Sequence, residues 1–115
     1  MKKVNEFDIE FRQGVDWGSK YLHRGKDYEL GKIIIPPKTK YASHSHFHKE
    51  TEEVFWFIKG KPLFYINNEE IRVNEGDVYV IEPNEVHNIL NDTDEESLIV
   101  FSKSPRLLED RFETE

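Results

Sequence analysis

The sequence contains no cysteine, which excludes disulfide bridges, thiolate metal ligands and cysteine nucleophiles. It also lacks any apolar run approaching the ~20 residues that a membrane-spanning helix requires. The first residues, MKKVNEFD, are basic and then polar, and so do not resemble the apolar core of a signal peptide. We therefore expect a cytoplasmic protein that does not enter the membrane.

Positive charge is scarce and dispersed. The chain has 16 Lys and Arg against 23 Asp and Glu, which gives a net charge of −7. Nucleic-acid binders normally present a basic face, and the basic residues here are interleaved with acidic ones. This pattern argues against a nucleic acid or an anionic membrane surface as partner and leaves a small molecule as the expected ligand.

Helical periodicity is weak, since no window of three turns keeps a 3.6-residue apolar spacing. Instead, short apolar or alternating segments recur between turn residues such as Gly, Pro and Asn. We predict strands at 30–35, 54–59, 63–66, 70–73, 78–81, 86–90 and 98–102. Strands this short and this closely spaced are typical of an antiparallel β-sandwich or barrel.

At 115 residues the chain fits a single domain, and its 13% aromatic content lets a short chain build a core. We expect N-terminal strands or an arm over 1–27, the barrel over 28–103 and a tail over 104–115. The tail could be a short helix, with Leu107, Leu108 and Phe112 on one side, or extended. The alternating segment 7–11 is predicted as an edge strand that crosses to a partner in a homodimer, because exposed edges favour pairing.

Three of the five histidines, His44, His46 and His48, lie within five residues of one another. Residues two apart on a strand point to the same face, so His46 and His48 are predicted to enter the interior together. Glu53 has the opposite parity, and a polar turn over 49–52 must reset the phase. Beyond it, Trp56 is expected to face away from this site.

His87 follows the predicted turn at 83–84 and can lie opposite the first cluster in an antiparallel sheet. Three imidazoles and one carboxylate suit a single divalent Mn, Fe, Ni, Zn or Cu ion. If the metal is octahedral, two coordination positions stay open to water, oxygen or substrate. A second candidate set of ligands in this segment, His44 and His46 with Glu50, has a similar spacing between its histidines and its carboxylate.

Two segments resemble the motifs of the cupin family. The segment ASHSHFHKETEEVFWFIKG matches the first motif, and GDVYVIEPNEVHNILN matches the second. The matching positions are His46, His48, Glu53, Gly60, Gly76, His87 and Asn91. Only the reading through Glu53 gives the family's spacing to Gly60, so His46, His48, Glu53 and His87 are preferred as ligands.

The sequence departs from the cupin motifs only at turn positions. The motif glycines fall at Lys40 and Asn84, and the motif proline falls at Glu82. Asn tolerates left-handed backbone, so Asn84 is expected to replace Gly in its turn. The resemblance implies an antiparallel double-stranded β-helix, the jelly-roll barrel of cupins.

The resemblance also implies metal-dependent chemistry, including dioxygenases with three His and one Glu and sugar-phosphate isomerases. We expect an enzyme in which the metal acts as a Lewis acid on a small oxygen-rich molecule, by isomerisation, epimerisation or oxidative cleavage. Glu53 could also take a proton, and His44 could act as an acid or base. The alternative is a non-catalytic sensor whose metal is structural.

Overall fold

The computed structural model describes residues 1–107 and 109–114, and these are mainly β-strand. Within them, no helix is long and apolar enough to cross a membrane. A single 3-10 turn spans Glu6–Asp8. The strands are β1 Gly18–Arg24, β2 Glu29–Ile35, β3 Thr39–Lys40, β4 His46–Phe47, β5 Glu52–Lys59, β6 Leu63–Ile66, β7 Glu69–Arg72, β8 Val78–Ile81, β9 His87–Asn91, β10 Ser97–Ser104 and β11 Phe112–Glu113.

The strands form two antiparallel sheets. The first has the order β1-β2-β10-β5-β8, and the second has the order β11-β4-β9-β6-β7 with β3 also paired to β9. Strands that are neighbours in a sheet are mostly distant in sequence, as in the pairing of β10 with both β2 and β5. This crossover topology is the predicted antiparallel double-stranded β-helix.

The core lies between the two sheets and follows the alternation of the strands. On β5 the inward residues Glu53, Phe55 and Phe57 are buried, whereas Trp56 between them is 49% exposed. The burial of the three alternate residues and the exposure of Trp56 both match the prediction from strand alternation. The other buried apolar side chains are Ile33, Ile35, Phe64, Val73, Ile81, Ile89, Ile99 and Phe101.

The predicted strand over 7–11 is wrong. Asn5 caps the 3-10 turn at Glu6–Asp8 by accepting a hydrogen bond from the Phe7 backbone N–H at 2.9 Å. This local capping outweighs the two-residue apolar alternation, and Phe7 is left 84% exposed.

The tail is extended at β11, which pairs with β4, and Leu108 lies outside the described residues.

Two asparagines, Asn84 and Asn91, occupy positions of the second cupin-like motif, and the structure shows what each one does there. Asn84 has φ of 72°, the left-handed backbone predicted where the family motif has glycine. Asn91 is fully buried, and its Nδ2 donates to the backbone oxygens of Ile35 and Glu95 at 2.9 and 2.7 Å. Its Oδ1 accepts from the Thr93 backbone N–H at 3.1 Å. Asn91 therefore ties the end of β9 to the end of β2.

Candidate metal centre

Four buried side chains converge at one end of the barrel interior. One candidate ligand atom from each of His46, His48, Glu53 and His87 lies within 4.8 Å of all the others. All four residues are at most 5% exposed. The structure therefore brings together residues separated by up to 41 positions in a group that could hold a metal ion.

Strand pairing accounts for this convergence. His46 on β4 is the register partner of His87 on β9. The chain turns over Lys49–Thr51 before β5 begins, so that Glu53 faces inward despite its opposite parity. Phe55 lies next along the same face, with its ring centroid 5.8 Å from that of His87. The polar turn after His48 covers 49–51 of the predicted 49–52, and Glu52 already belongs to β5.

Two imidazoles are held from outside the cluster by backbone carbonyls. His48 Nδ1 contacts the carbonyl oxygen of Asp110, and His87 Nδ1 lies 2.9 Å from the carbonyl oxygen of Glu85. Metal-binding histidines commonly use their second nitrogen in this way, because such a bond fixes the tautomer and the ring orientation. These contacts turn both Nε2 atoms inward.

Inside the cluster, the three imidazoles face one carboxylate oxygen. Glu53 Oε1 contacts His48 Nε2 and lies 3.2 Å from His87 Nε2 and 3.9 Å from His46 Nε2. A neutral imidazole has a single N–H, and in His48 and His87 the outer nitrogen faces a carbonyl oxygen, which can only accept. The inward Nε2 atoms and the Glu53 carboxylate then need positive charge between them, which a second proton on each ring or a shared cation would supply. One divalent ion would do so for all three rings at once.

The charge states also suit a cation. Burial, assisted by nearby His87, lowers the pKa of His46 to about 2, so this ring is neutral near pH 7. Its Nδ1 is buried without a hydrogen-bond partner among the described residues. Burial alone would raise the pKa of Glu53, but the contacts of its carboxylate with His48 and His87 outweigh burial and hold the pKa below its usual value. A neutral His46 ring beside an ionised Glu53 carboxylate fits a divalent metal.

The cluster borders a cavity of about 210 Å³. His46 and Glu53 form part of its wall, and Tyr21, Tyr41 and Lys103 add polar groups. Burial raises the pKa of Tyr41, so its phenol keeps its proton near neutral pH and can donate a hydrogen bond. A small molecule in the cavity would therefore reach the cluster and polar side chains together.

Asp110, which the sequence analysis missed, organises the loop between the ligands. Its carboxylate accepts hydrogen bonds from the backbone N–H groups of Lys49, Glu50 and Thr51, each at 2.8 Å. Burial acts to raise its pKa, but these bonds outweigh it and lower the pKa to about 2. Together with the His48 contact to its carbonyl, they join the C-terminal segment to the loop that leads from His48 to Glu53. A lone Asp in a charged tail gives no sequence signal for this role.

His44 lies outside the cluster. Its side chain is exposed, and it is not part of the cavity wall. Glu50 is also exposed and contributes its backbone N–H to Asp110. The structure thus assembles the set with His46, His48 and Glu53 and leaves the alternative set, with His44 and Glu50, apart. The predicted acid–base role of His44 stays a prediction.

Comparison with known protein families identifies the family of this chain. Residues 31–102 match the family model of the cupin domain, and the chain therefore belongs to the cupin family. The matched range contains all four cluster residues.

One relative in sequence and several solved structures are similar to this chain. An uncharacterised protein of Methanocaldococcus jannaschii is 30% identical over 70 residues, which cover 61% of this chain. The match spans about half of that relative, 54% of its length. Streptomyces Pac13, solved as a variant with uridine, has a TM-score of 0.82 at 12% identity and covers 99% of this chain and 90% of its own.

Two further solved structures cover nearly the whole chain. A Klebsiella pneumoniae protein with a double-stranded β-helix domain has a TM-score of 0.82 at 16% identity, over 100% of this chain and 98% of its own. A predicted oxalate decarboxylase of Thermotoga maritima has a TM-score of 0.74 at 18% identity, over 91% of this chain and 100% of its own. At these identities the likeness establishes the fold alone.

Proposed function

We propose that this protein is a metal-dependent enzyme that acts on a small oxygen-rich metabolite, with the metal held by His46, His48, Glu53 and His87. The observation that carries the proposal is that two of these side chains, His46 and Glu53, line a cavity. A purely structural metal is normally enclosed by its protein ligands, whereas a catalytic one keeps a position open to substrate.

A divalent ion bound here would supply Lewis-acid stabilisation of a developing negative charge on a substrate oxygen. The chain's own residues would position the substrate and move its protons. Glu53 is the carboxylate nearest the cavity and a candidate proton acceptor, and Tyr41 is a candidate hydrogen-bond donor. Isomerisation, epimerisation and dioxygenase-type cleavage are the reaction classes proposed.

The structural neighbours support a small-molecule role for the barrel. Pac13 is described as a nucleoside dehydratase and was solved with uridine, and the Thermotoga protein is a predicted oxalate decarboxylase. These two chemistries differ from each other, so the neighbours support the class of ligand and leave the reaction to experiment.

The test is to load the protein with Mn, Fe, Ni, Zn or Cu in turn and incubate each form with sugars, sugar phosphates and hydroxy or keto acids. Product formation is followed by NMR and mass spectrometry, with melting temperature measured alongside. An enzyme gives product with at least one metal. A sensor gives ligand-dependent stabilisation without product, and a structural metal gives a melting temperature that falls on chelation with no ligand effect. Either of the last two results contradicts catalysis.

We further propose a homodimer, formed through the outer face of β5 and β8. Trp56, Ile58, Val78 and Val80 are between 37% and 56% exposed, and Trp56 is the register partner of Val78. β8 is the last strand of its sheet, so this apolar patch reaches a sheet edge. In a chain of net charge −7, such a face is where two copies can meet with little repulsion. The segment 7–11, which the sequence suggested for this contact, is not a strand.

Trp56→Asp is expected to convert the dimer to a monomer, because a twofold interface would bury the new carboxylate twice without a partner. Sedimentation velocity at micromolar concentration measures the change. Val15→Asp is the matched control, since Val15 is 98% exposed on the N-terminal segment and should leave the dimer intact. A monomeric wild-type protein, or a dimer that survives Trp56→Asp, would contradict the assignment.

A further inference from the structure

The cavity beside the metal cluster is positively charged, although the protein as a whole is acidic. Its wall includes three cationic side chains, Arg12, Lys103 and Arg111, and Glu53 is the single carboxylate among the described residues that line it. If a divalent ion binds Glu53, the negative charge that faces these cations is more than neutralised. The surroundings of the cavity then carry a strong excess of positive charge.

Arg12 and Lys103 are drawn together on Tyr21. The Arg12 guanidinium lies 4.5 Å from the Tyr21 ring centroid, and Lys103 Nζ lies 3.1 Å from the Tyr21 hydroxyl. These contacts hold two positive charges on one side chain, and an anion that meets both would relieve their repulsion. The phenol thus keeps both cations in the wall of the cavity.

Neither cation forms a close ion pair with the described residues, although Lys103 is attracted at longer range by its register partners Glu29 on β2 and Glu53 on β5. Among the described residues, no carboxylate lies within ion-pair distance of Arg12 or Lys103. The neighbouring Arg24, which also contacts the Tyr21 ring, is paired with Glu29 at 3.3 Å. Nearby acidic groups therefore already have partners, and Arg12 and Lys103 remain available to a ligand.

The N-terminal segment that carries Arg12 is fixed to the barrel. The Arg12 backbone N–H donates to the Ser19 carbonyl at 2.9 Å, and Gln13 Oε1 accepts from the Ser19 backbone N–H at 2.7 Å. These bonds join the segment to β1 at the wall of the cavity, which Gln13 and Ser19 also line. Arg12 is consequently a preorganised part of the site, which lowers the entropy lost when a ligand binds.

From this arrangement we infer that the ligand of this site carries a carboxylate or phosphate group, which binds between Arg12 and Lys103 while the rest of the molecule faces the metal cluster. The inference rests on the proposed function, since it places the ligand in the same cavity. A cavity of about 210 Å³ is smaller than the ~300–1,000 Å³ typical of drug-sized ligands, so the molecule is a compact anionic metabolite. Arg111, paired with Glu113 at 3.1 Å, adds to the potential from the rim.

The test is calorimetric titration of metal-loaded and metal-free protein with malonate, inorganic phosphate and malonamide, the neutral analogue of malonate. Malonate, phosphate or both should bind at least roughly tenfold more tightly than malonamide, because hydrogen bonds to charged groups are the stronger ones. Preference between malonate and phosphate identifies the anionic group.

The variants Arg12→Gln and Lys103→Gln should each weaken anion binding roughly tenfold and leave malonamide unaffected. Arg12→Lys, which keeps the charge on an exposed side chain, should restore much of the affinity. Arg72→Gln is the matched control, since it removes one positive charge from an exposed pair with Asp92. Circular dichroism confirms that each variant is folded.

Two results would overturn the inference. One is equal binding of malonate, phosphate and malonamide by a protein that takes up metal, which would leave the proposed function standing. The other is an equal loss of affinity in Arg72→Gln and Arg12→Gln, which would mean that net charge alone attracts the anion. Failure to take up any metal would instead contradict the proposed function, and the metal-free titrations would still test the two cations.

Discussion

Glu53→Gln is expected to lower the affinity for divalent metal by more than about 100-fold, since loss of an outer partner of a ligand alone typically lowers it 10–100-fold. The substitution keeps the shape of the side chain and removes the single anionic ligand of the cluster, so the barrel should stay folded. Turnover, where it is found, should disappear with the metal. Competition with a chelator of known affinity measures the change, and circular dichroism checks the fold.

Glu50→Gln is the matched control for this prediction. Glu50 is exposed, lies three residues earlier and is the acidic residue of the alternative ligand set. Its substitution should leave metal affinity unchanged. If Glu50→Gln weakens metal binding and Glu53→Gln does not, the ligand set proposed here is wrong and the alternative with His44 is favoured.

Asp110→Ala is expected to weaken metal binding about 10–100-fold, although this side chain does not reach the cluster. Its carboxylate gathers three backbone N–H groups of the loop between His48 and Glu53, each at 2.8 Å. Without it the loop loses charge-assisted hydrogen bonds, and the orientation of His48 is less well defined. Isothermal titration with the metal that the wild-type protein prefers measures the loss.

Asp92→Ala provides the comparison for Asp110. Asp92 also accepts hydrogen bonds, from Arg72 at 2.6 and 2.8 Å, but the pair is exposed and Arg72 lies on β7, at the opposite end of the sheet from β11. Its removal should leave metal affinity unchanged. Equal affinities in wild type and Asp110→Ala would mean that the turn after β4 holds His48 and Glu53 without help from the tail.

The sequence predicted those parts of the structure that depend on local patterns. Alternation along a strand placed Glu53, Phe55 and Phe57 on one face and Trp56 on the other, and turn residues marked the strand ends. The histidine spacing and the motif that ends at Gly60 selected His46, His48 and Glu53, and the second motif, which ends at Asn91, selected His87. Each of these inferences uses residues within about twenty positions of one another.

Features that depend on long-range closure were not predictable. Asp110 acts on the cluster loop because β11 pairs with β4, and nothing in the tail sequence indicates that pairing. Arg12 reaches the cavity because backbone bonds near Ser19 return the N-terminal segment to the barrel. The same segment shows why alternation alone is insufficient, since Asn5 capping replaced the strand expected over 7–11.

The most direct test of the account is the metal content of the protein purified without chelators, determined by elemental analysis against protein concentration. We expect one divalent ion per chain in the wild-type protein and a near-complete loss in His87→Ala, which removes the ligand that β9 brings to β4. A wild-type protein that contains no metal and takes up none of Mn, Fe, Ni, Zn or Cu would contradict the account, as would full occupancy in His87→Ala.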